Sequence, residues 1–247
     1  MTSKHLRRQL IAAVVTFLVA AFAITASTFA WFAANTQVLA QGMTVSAQAD
    51  TMFLQIKGTG GTVETGTVAA DGNDFATSGA VVMTDVAVLP TAHGVLADNA
   101  AVSTAANWYY RYSDKTDDGA SNLTAQETVN GAHFNKYVAA VTYQVRIKDG
   151  TNITEVYDLF VKKVTLPADT GIRAIVAGQD RFQEFTATVA DNESTAVVLS
   201  DTVTTTPQTV TVYLYVDGND DVVYTDNIAQ LLGDIEIKFS GFEEDTL

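Results

Sequence analysis

Cysteine is absent from the 247 residues, which excludes a disulfide framework and any thiolate zinc site. Proline is nearly absent too, at Pro90, Pro167 and Pro207 only, so no proline-rich linker divides the chain. Basic residues are scarce: 14 Lys and Arg stand against 28 Asp and Glu, a net charge of −14. Three of the 14, Lys4, Arg7 and Arg8, precede a long apolar run and no acid does, so the rest carries 11 against 28. That surplus argues against a nucleic-acid partner, because phosphate contacts need a basic footprint. It fits a self-repelling surface that attracts divalent cations. Histidine is also rare. Beyond the leader only His93 and His133 remain, with no H-E-x-x-H, so a zincin mechanism lacks its ligands. Neither a G-x-S-x-G elbow nor a P-loop occurs, and the carboxylates are too scattered to nominate a catalytic pair. An enzyme is not expected.

The chain does have a leader. "MTSKHLRRQ" is a basic n-region, "LIAAVVTFLVAAFAITA" an apolar h-region, and "TFA" sets small Ala30 before Trp31. This order predicts a secretory signal over residues 1–30, cut between Ala30 and Trp31. The competing reading is an uncleaved anchor, since residues 10–34 are long enough to span a bilayer. Either way the remainder is expected outside the membrane, secreted or at the cell surface.

After the leader the hydrophobic period is two. Met43, Val45, Ala47 and Ala49 alternate with polar residues, as do Val141, Tyr143, Val145 and Ile147. Val210, Val212, Leu214 and Val216 face away from Thr211, Tyr213 and Tyr215, and Ile235, Ile237 and Phe239 continue the pattern. Further strands are expected at "MFLQIK", "VYDLFVKKVTL", "GIRAIVAG", "FQEFTATVA" and "TAVVLS", and one short helix at "DNIAQLL". The expected fold is all-β: a jelly-roll-like antiparallel sandwich over residues 43–247, preceded by the apolar signal helix. Residues 58–134, rich in Gly, Ala, Thr and Asp with weak periodicity, read as a long irregular insertion.

Between leader and sandwich, residues 31–42 form a segment of their own. Phe32, Ala34, Thr36, Val38 and Ala40 share one period-two face, which Gly42 interrupts before Met43. An uncharged extended segment can complete a neighbour's sheet, main-chain bonds giving affinity and alternate side chains filling pockets. Burying Trp31, Phe32, Val38 and Leu39 with the alanines would gain on the order of 10 kcal/mol before ordering costs, at roughly 1.5–3 kcal/mol per large side chain. Pairing within its own subunit is the alternative and stays open.

"TFAWFAANTQVLAQGMTVSA" resembles the leader-to-strand junction of the TasA–camelysin family of Gram-positive matrix-fibre subunits. "VTVYLYVDGNDDVVYTDNIAQLLGDIEIKFSGF" is similar to the closing strand, acidic loop, short helix and last strand of related exported proteins. The resemblance implies a jelly-roll subunit that self-associates into extracellular filaments by donating its N-terminal strand. The middle of the chain carries none of it. The lysine-rich, acidic tail of some members is missing, so the filament type does not carry over.

Other sites remain as candidates. Asp217, Asn219, Asp220 and Asp221 in one loop, and Asp71, Asn73 and Asp74 in another, offer oxygens for calcium, though neither completes an EF-hand. Plain solvated hairpin turns are the simpler reading of both, and Asp114, Asp117 and Asp118 stand the same way. Trp108, Tyr109, Tyr110 and Tyr112 form an aromatic group suited to a sugar platform or a subunit contact, as a monomeric surface adhesin would use. The alternative is that alternate rings cover the insertion's own small core.

Overall fold

A computed structural model describes residues 38–40, 43–49, 53–72, 74–111, 113–115, 121–123, 127–151, 153–190, 197–223 and 234–243. The chain separates into Met1–Thr36 and a compact body, Gln37–Leu247. The leader, the Ala30–Trp31 junction and the expected helix at 226–232 lie outside the described residues.

In chain order the first strands are β1 (Val38–Ala40), β2 (Met43–Ala49), β3 (Leu54–Thr62), β4 (Thr65–Asp71), β5 (Ser78–Val88) and β6 (Thr91–His93). A short helix α1 (Asn99–Val102) follows, N-capped by Asp98, whose Oδ1 accepts the Ala101 N–H at 2.8 Å. Then come β7 (Trp108–Tyr110), β8 (Ser113–Lys115), β9 (Ser121–Leu123) and β10 (Glu127–Thr128), and a 3-10 segment over Gly131–Lys136. The remaining strands are β11 (Ala139–Ile147), β12 (Val156–Thr165), β13 (Ile172–Ala177), β14 (Phe182–Phe185), β15 (Val198–Val203), β16 (Gln208–Val216) and β17 (Ile235–Glu243).

These strands build the expected two-layer all-β sandwich. One sheet joins β5 to β1, β2 and β4, and continues from β2 through β17 and β12 to β15. The other runs β14–β13–β16–β11–β3. Between them lies a core from the inward faces, with Val45, Leu54, Ile56, Val141, Tyr143, Val145, Val212, Ile237 and Phe239 fully buried. Alternation explains this directly: one face of each strand enters the core and the other does not. The Tyr143 hydroxyl, buried among apolar groups, donates to the Val45 carbonyl at 2.5 Å and ties the sheets together. Burial pushes its pKa well above the ordinary tyrosine range.

Among the strand ladders one pairing departs from the antiparallel expectation. β17 lies parallel to β2, Ile235 opposite Val45 through Phe239 opposite Ala49. The closing strand of the chain is therefore an interior strand between β2 and β12.

Residues 58–88 are not an irregular insertion. They hold the end of β3, all of β4 and all of β5. Glycine makes this corner possible, because the two sheets touch backbone to backbone where β3 crosses β5. A Cβ on Gly58 would lie 2.5 Å from the Ala80 carbonyl oxygen, and one on Gly79 would lie 2.9 Å from the Gly58 nitrogen. Alternation was hard to see here because β4 is exposed at nearly every position. In β5 the buried positions run Val81 and Met83, then Val86 and Val88, so the phase slips by one residue.

What remains of the insertion, from Thr91 onwards, is a cap on the outer face of the five-stranded sheet. It holds a small sheet ordered β10–β7–β6, and the pair β8–β9. A second cluster forms beneath it from Val102, Trp108, Val129 and Val138 with Ile175 of β13 and Tyr215 of β16.

Candidate functional site

Three places bear on function: the entry strand, the acidic turn after β16, and the seam between cap and sheet.

At the entry, β1 pairs antiparallel with β5, Val38 opposite Val88 and Ala40 opposite Val86. β2 continues on β5 from Met43 opposite Met83 to Gln48 opposite Ser78. The register with β5 is the same in β1 and in β2, and Gly42, the site of the expected interruption, lies outside the described residues. The β5 ladder then stops. The Leu89 N–H donates to the Lys136 carbonyl at 2.8 Å, and Pro90 has no N–H to give. Trp31, Phe32, Ala34 and Thr36 lie outside the described residues. Of the expected strand only Val38, Leu39 and Ala40 are placed, and they pair within their own chain.

The acidic turn is held from three sides. Asp217 N–H donates to the Gly171 carbonyl and Gly218 N–H to the Thr91 carbonyl, each at 2.8 Å, which pins the turn to the β12–β13 loop and to the cap. Gly171 has φ +65°, and a Cβ there would strike Val223 at 2.2 Å. Asp217 Oδ1 accepts the Asn219 N–H at 2.9 Å and Asp220 Oδ1 accepts the Val222 N–H at 3.1 Å. The other Asp220 oxygen bonds the Arg173 guanidinium, and Asp217 lies 3.9 Å from Arg173 Nε. Burial raises the Asp217 pKa above the ordinary carboxylate value, against the Asn219 bond and Arg173, which lower it; Asp220 and Glu184 add to the rise. The turn's inward carboxylates are thus committed to an arginine and to backbone amides. A half-open cleft of about 430 Å³ lies beside it, lined by Pro167, Thr170, Arg173, Thr186, Thr188 and Asp220 among others.

In the second acidic stretch Asp71 and Asp74 are exposed and Asn73 lies outside the described residues. Asp114 belongs to β8, and Asp117 and Asp118 lie outside. Among the described residues no three His, Asp or Glu side chains gather as metal ligands would.

Of the aromatic group, Trp108 is fully buried and its Nε1 donates to the Val102 carbonyl at 2.9 Å. It offers no exposed platform. Its ring stands edge-on to His93, Tyr215 and Phe134, with centroids at 4.9, 5.1 and 5.9 Å. Tyr109 and Tyr110 are half-buried and Tyr112 lies outside the described residues. Of the three described rings only Trp108 belongs to a buried core, and that core is shared with the sheet.

The seam carries a polar cluster that sequence reading missed. His93 of β6 reaches down from the cap between Glu184 of β14 and Tyr215 of β16. Its Nε2 lies 3.0 Å from Glu184 Oε1 and 3.2 Å from the Tyr215 hydroxyl, and its Nδ1 lies 2.8 Å from the Gly94 carbonyl. Tyr215 donates its hydroxyl proton to the same Glu184 oxygen. The Gly94 carbonyl can only accept, so Nδ1 carries a proton; a second proton on Nε2 completes a bond to the Glu184 carboxylate, which also accepts. The arrangement therefore suits an imidazolium. Burial lowers the His93 pKa, but the bonds to Glu184 and Gly94 and the charges of Glu184 and Asp217 outweigh it, leaving a net rise. Burial raises that of Glu184, but the bonds from His93 and Tyr215 and the charges of His93 and Arg173 bring it below the ordinary value. Burial, then the Glu184 charge and bond, push the Tyr215 pKa far up. The only sequence signal was a lone histidine in a stretch without period.

No protein-family model, no curated protein and no solved structure matches the chain.

Proposed function

We propose that the chain is a structural subunit of an extracellular filament or surface assembly, built by donation of its N-terminal strand to a second copy. The observation that carries this reading is the end of the β5 ladder. β1 follows β5 as far as Val88, where Leu89 turns its amide to Lys136 and Pro90 has none. Neither Leu89 nor Pro90 therefore has an amide to give a strand extending upstream of Val38. The six or seven residues from Trp31 carry Trp, Phe and small side chains without charge. Such a segment buries its apolar surface by joining a sheet edge elsewhere, and in a pure protein that edge belongs to another copy. The absence of disulfides adds support, since association supplies stability that cross-links do not. The adhesin reading loses its central ring to the core, because Trp108 is fully buried.

Electron microscopy of the protein beginning at Trp31 and of a form lacking residues 31–37 tests this. The longer form polymerises and the shorter one stays dispersed, and a free peptide of residues 31–37, by filling the acceptor edge, blocks polymerisation of the longer form. Polymerisation of the shorter form as readily as the longer would overturn donation.

A further inference from the structure

We infer that His93 is a proton-operated latch, holding the cap on the five-stranded sheet while charged and loosening it when it deprotonates. Only two histidines lie beyond the leader, and both sit in the cap facing a glutamate of the sandwich. His133 meets Glu64 at 3.3 Å at the exposed rim, where water screens the pair. His93 lies inside the seam, its side chain 13% exposed, with every ring polar atom engaged.

The groups facing His93 come from each element packed on it. β14 supplies Glu184, β16 the Tyr215 hydroxyl, the following turn Asp217, the chain just past β6 the Gly94 carbonyl, and β7 the Trp108 edge. Arg173 of β13 acts on Glu184 from the far side. With both ring nitrogens protonated, all donors and acceptors are matched. Loss of the Nε2 proton sets a lone pair 3.0 Å from a carboxylate oxygen, an arrangement with no bonding proton between them. Tyr215 can then turn its hydroxyl to Nε2 at 3.2 Å, but only by leaving Glu184. In the first case the shielded Nε2 goes unmet, and in the second the half-buried Glu184 oxygen loses both of its donors. β6 is three residues long and the cap's own sheet is small, so the seam is the place where this loss is felt.

The sign follows from the direction of each shift. His93 is raised on closing, so its contribution is full below the ordinary imidazole value of 6.5 and disappears as pH rises through the raised value. Glu184 is lowered, so its contribution is present above the ordinary 4.5 and disappears as pH falls through the lowered value. The latch is shut between these limits and opens on the alkaline side. An exported protein meets such changes directly, and the face uncovered would be that of Ile175, Tyr213 and Tyr215.

The test combines proton NMR of the imidazoles with hydrogen exchange on the purified protein from pH 5 to 9, corrected for intrinsic exchange. The His93 resonance, identified by its loss in His93→Gln, titrates above 6.5, and in Glu184→Gln it falls back toward or below that value. Over the same interval cap amides in β6, β7 and β10 lose protection by up to about tenfold per pH unit, then level off. Amides of β11 and β16 do not follow. In His93→Gln the step is gone. A His93 midpoint at or below 6.5, cap protection flat across the range, or an unchanged step in His93→Gln would each overturn the latch. Should that variant fail to fold, the wild type still decides: NMR and exchange midpoints that disagree refute the mechanism.

Discussion

Replacing Trp108 by alanine should separate the cap from the sandwich without unfolding the sandwich. The ring is fully buried and stands against His93, Phe134 and Tyr215, and its Nε1 holds the Val102 carbonyl. Removing a buried aromatic of this size costs about 3–5 kcal/mol, and the lost hydrogen bond about 1 kcal/mol more. A domain of this kind holds about 5–15 kcal/mol in total. If the whole loss fell on the global transition, the variant would be close to unfolding. Trp108 belongs to the outer cluster, however, and the inter-sheet core is built from other residues. Local opening of the cap is therefore the cheaper route. Native-state hydrogen exchange by mass spectrometry reads the difference: peptides over 91–110 and 127–137 lose protection by orders of magnitude, and those of β11 and β16 keep most of theirs. Cap peptides protected to within a few-fold of wild type would refute the anchoring role. Equal loss across cap and core would show that the two clusters unfold as one.

Two further outcomes are expected. Gly58→Ala drives a Cβ to 2.5 Å from the Ala80 oxygen and lowers stability by about 2–3 kcal/mol in urea unfolding, against less than about 0.5 kcal/mol for Gly131→Ala, where the nearest atom is 3.9 Å away; equal effects would deny the close contact at that corner. Arg173→Ala leaves Asp217 and Asp220 without their cation, costing about 3 kcal/mol, and millimolar calcium raises its melting temperature more than that of wild type. Equal calcium shifts would remove the turn as a calcium site.

Much of the sandwich was legible because its strands obey one rule. β2, β11, β16 and β17 bury the residues that period two selects, from Val45 to Phe239. Legibility failed where something other than the core fixed the strand. β4 leans on β5 through its backbone with its side chains in solvent, so it left no apolar trace. Tyr213 and Tyr215 read as the outer face of β16, which is correct for the sheet. They are nonetheless covered, because a segment a hundred residues earlier folds over them. The same distance hid the seam: His93, Glu184 and Tyr215 are 91 and 122 positions apart along the chain, and no local pattern joins them. The acidic turn was found as a group of carboxylates, but its partner Arg173 was not, since a lone arginine in a strand carries no marker of what it faces.

The parallel seat of β17 has a consequence for how the larger sheet holds together. Because β17 lies between β2 and β12, it joins the half made of β1, β2, β4 and β5 to the half made of β12 and β15. Loss of this one ribbon would leave two half-sheets with a gap in the middle rather than a trimmed edge.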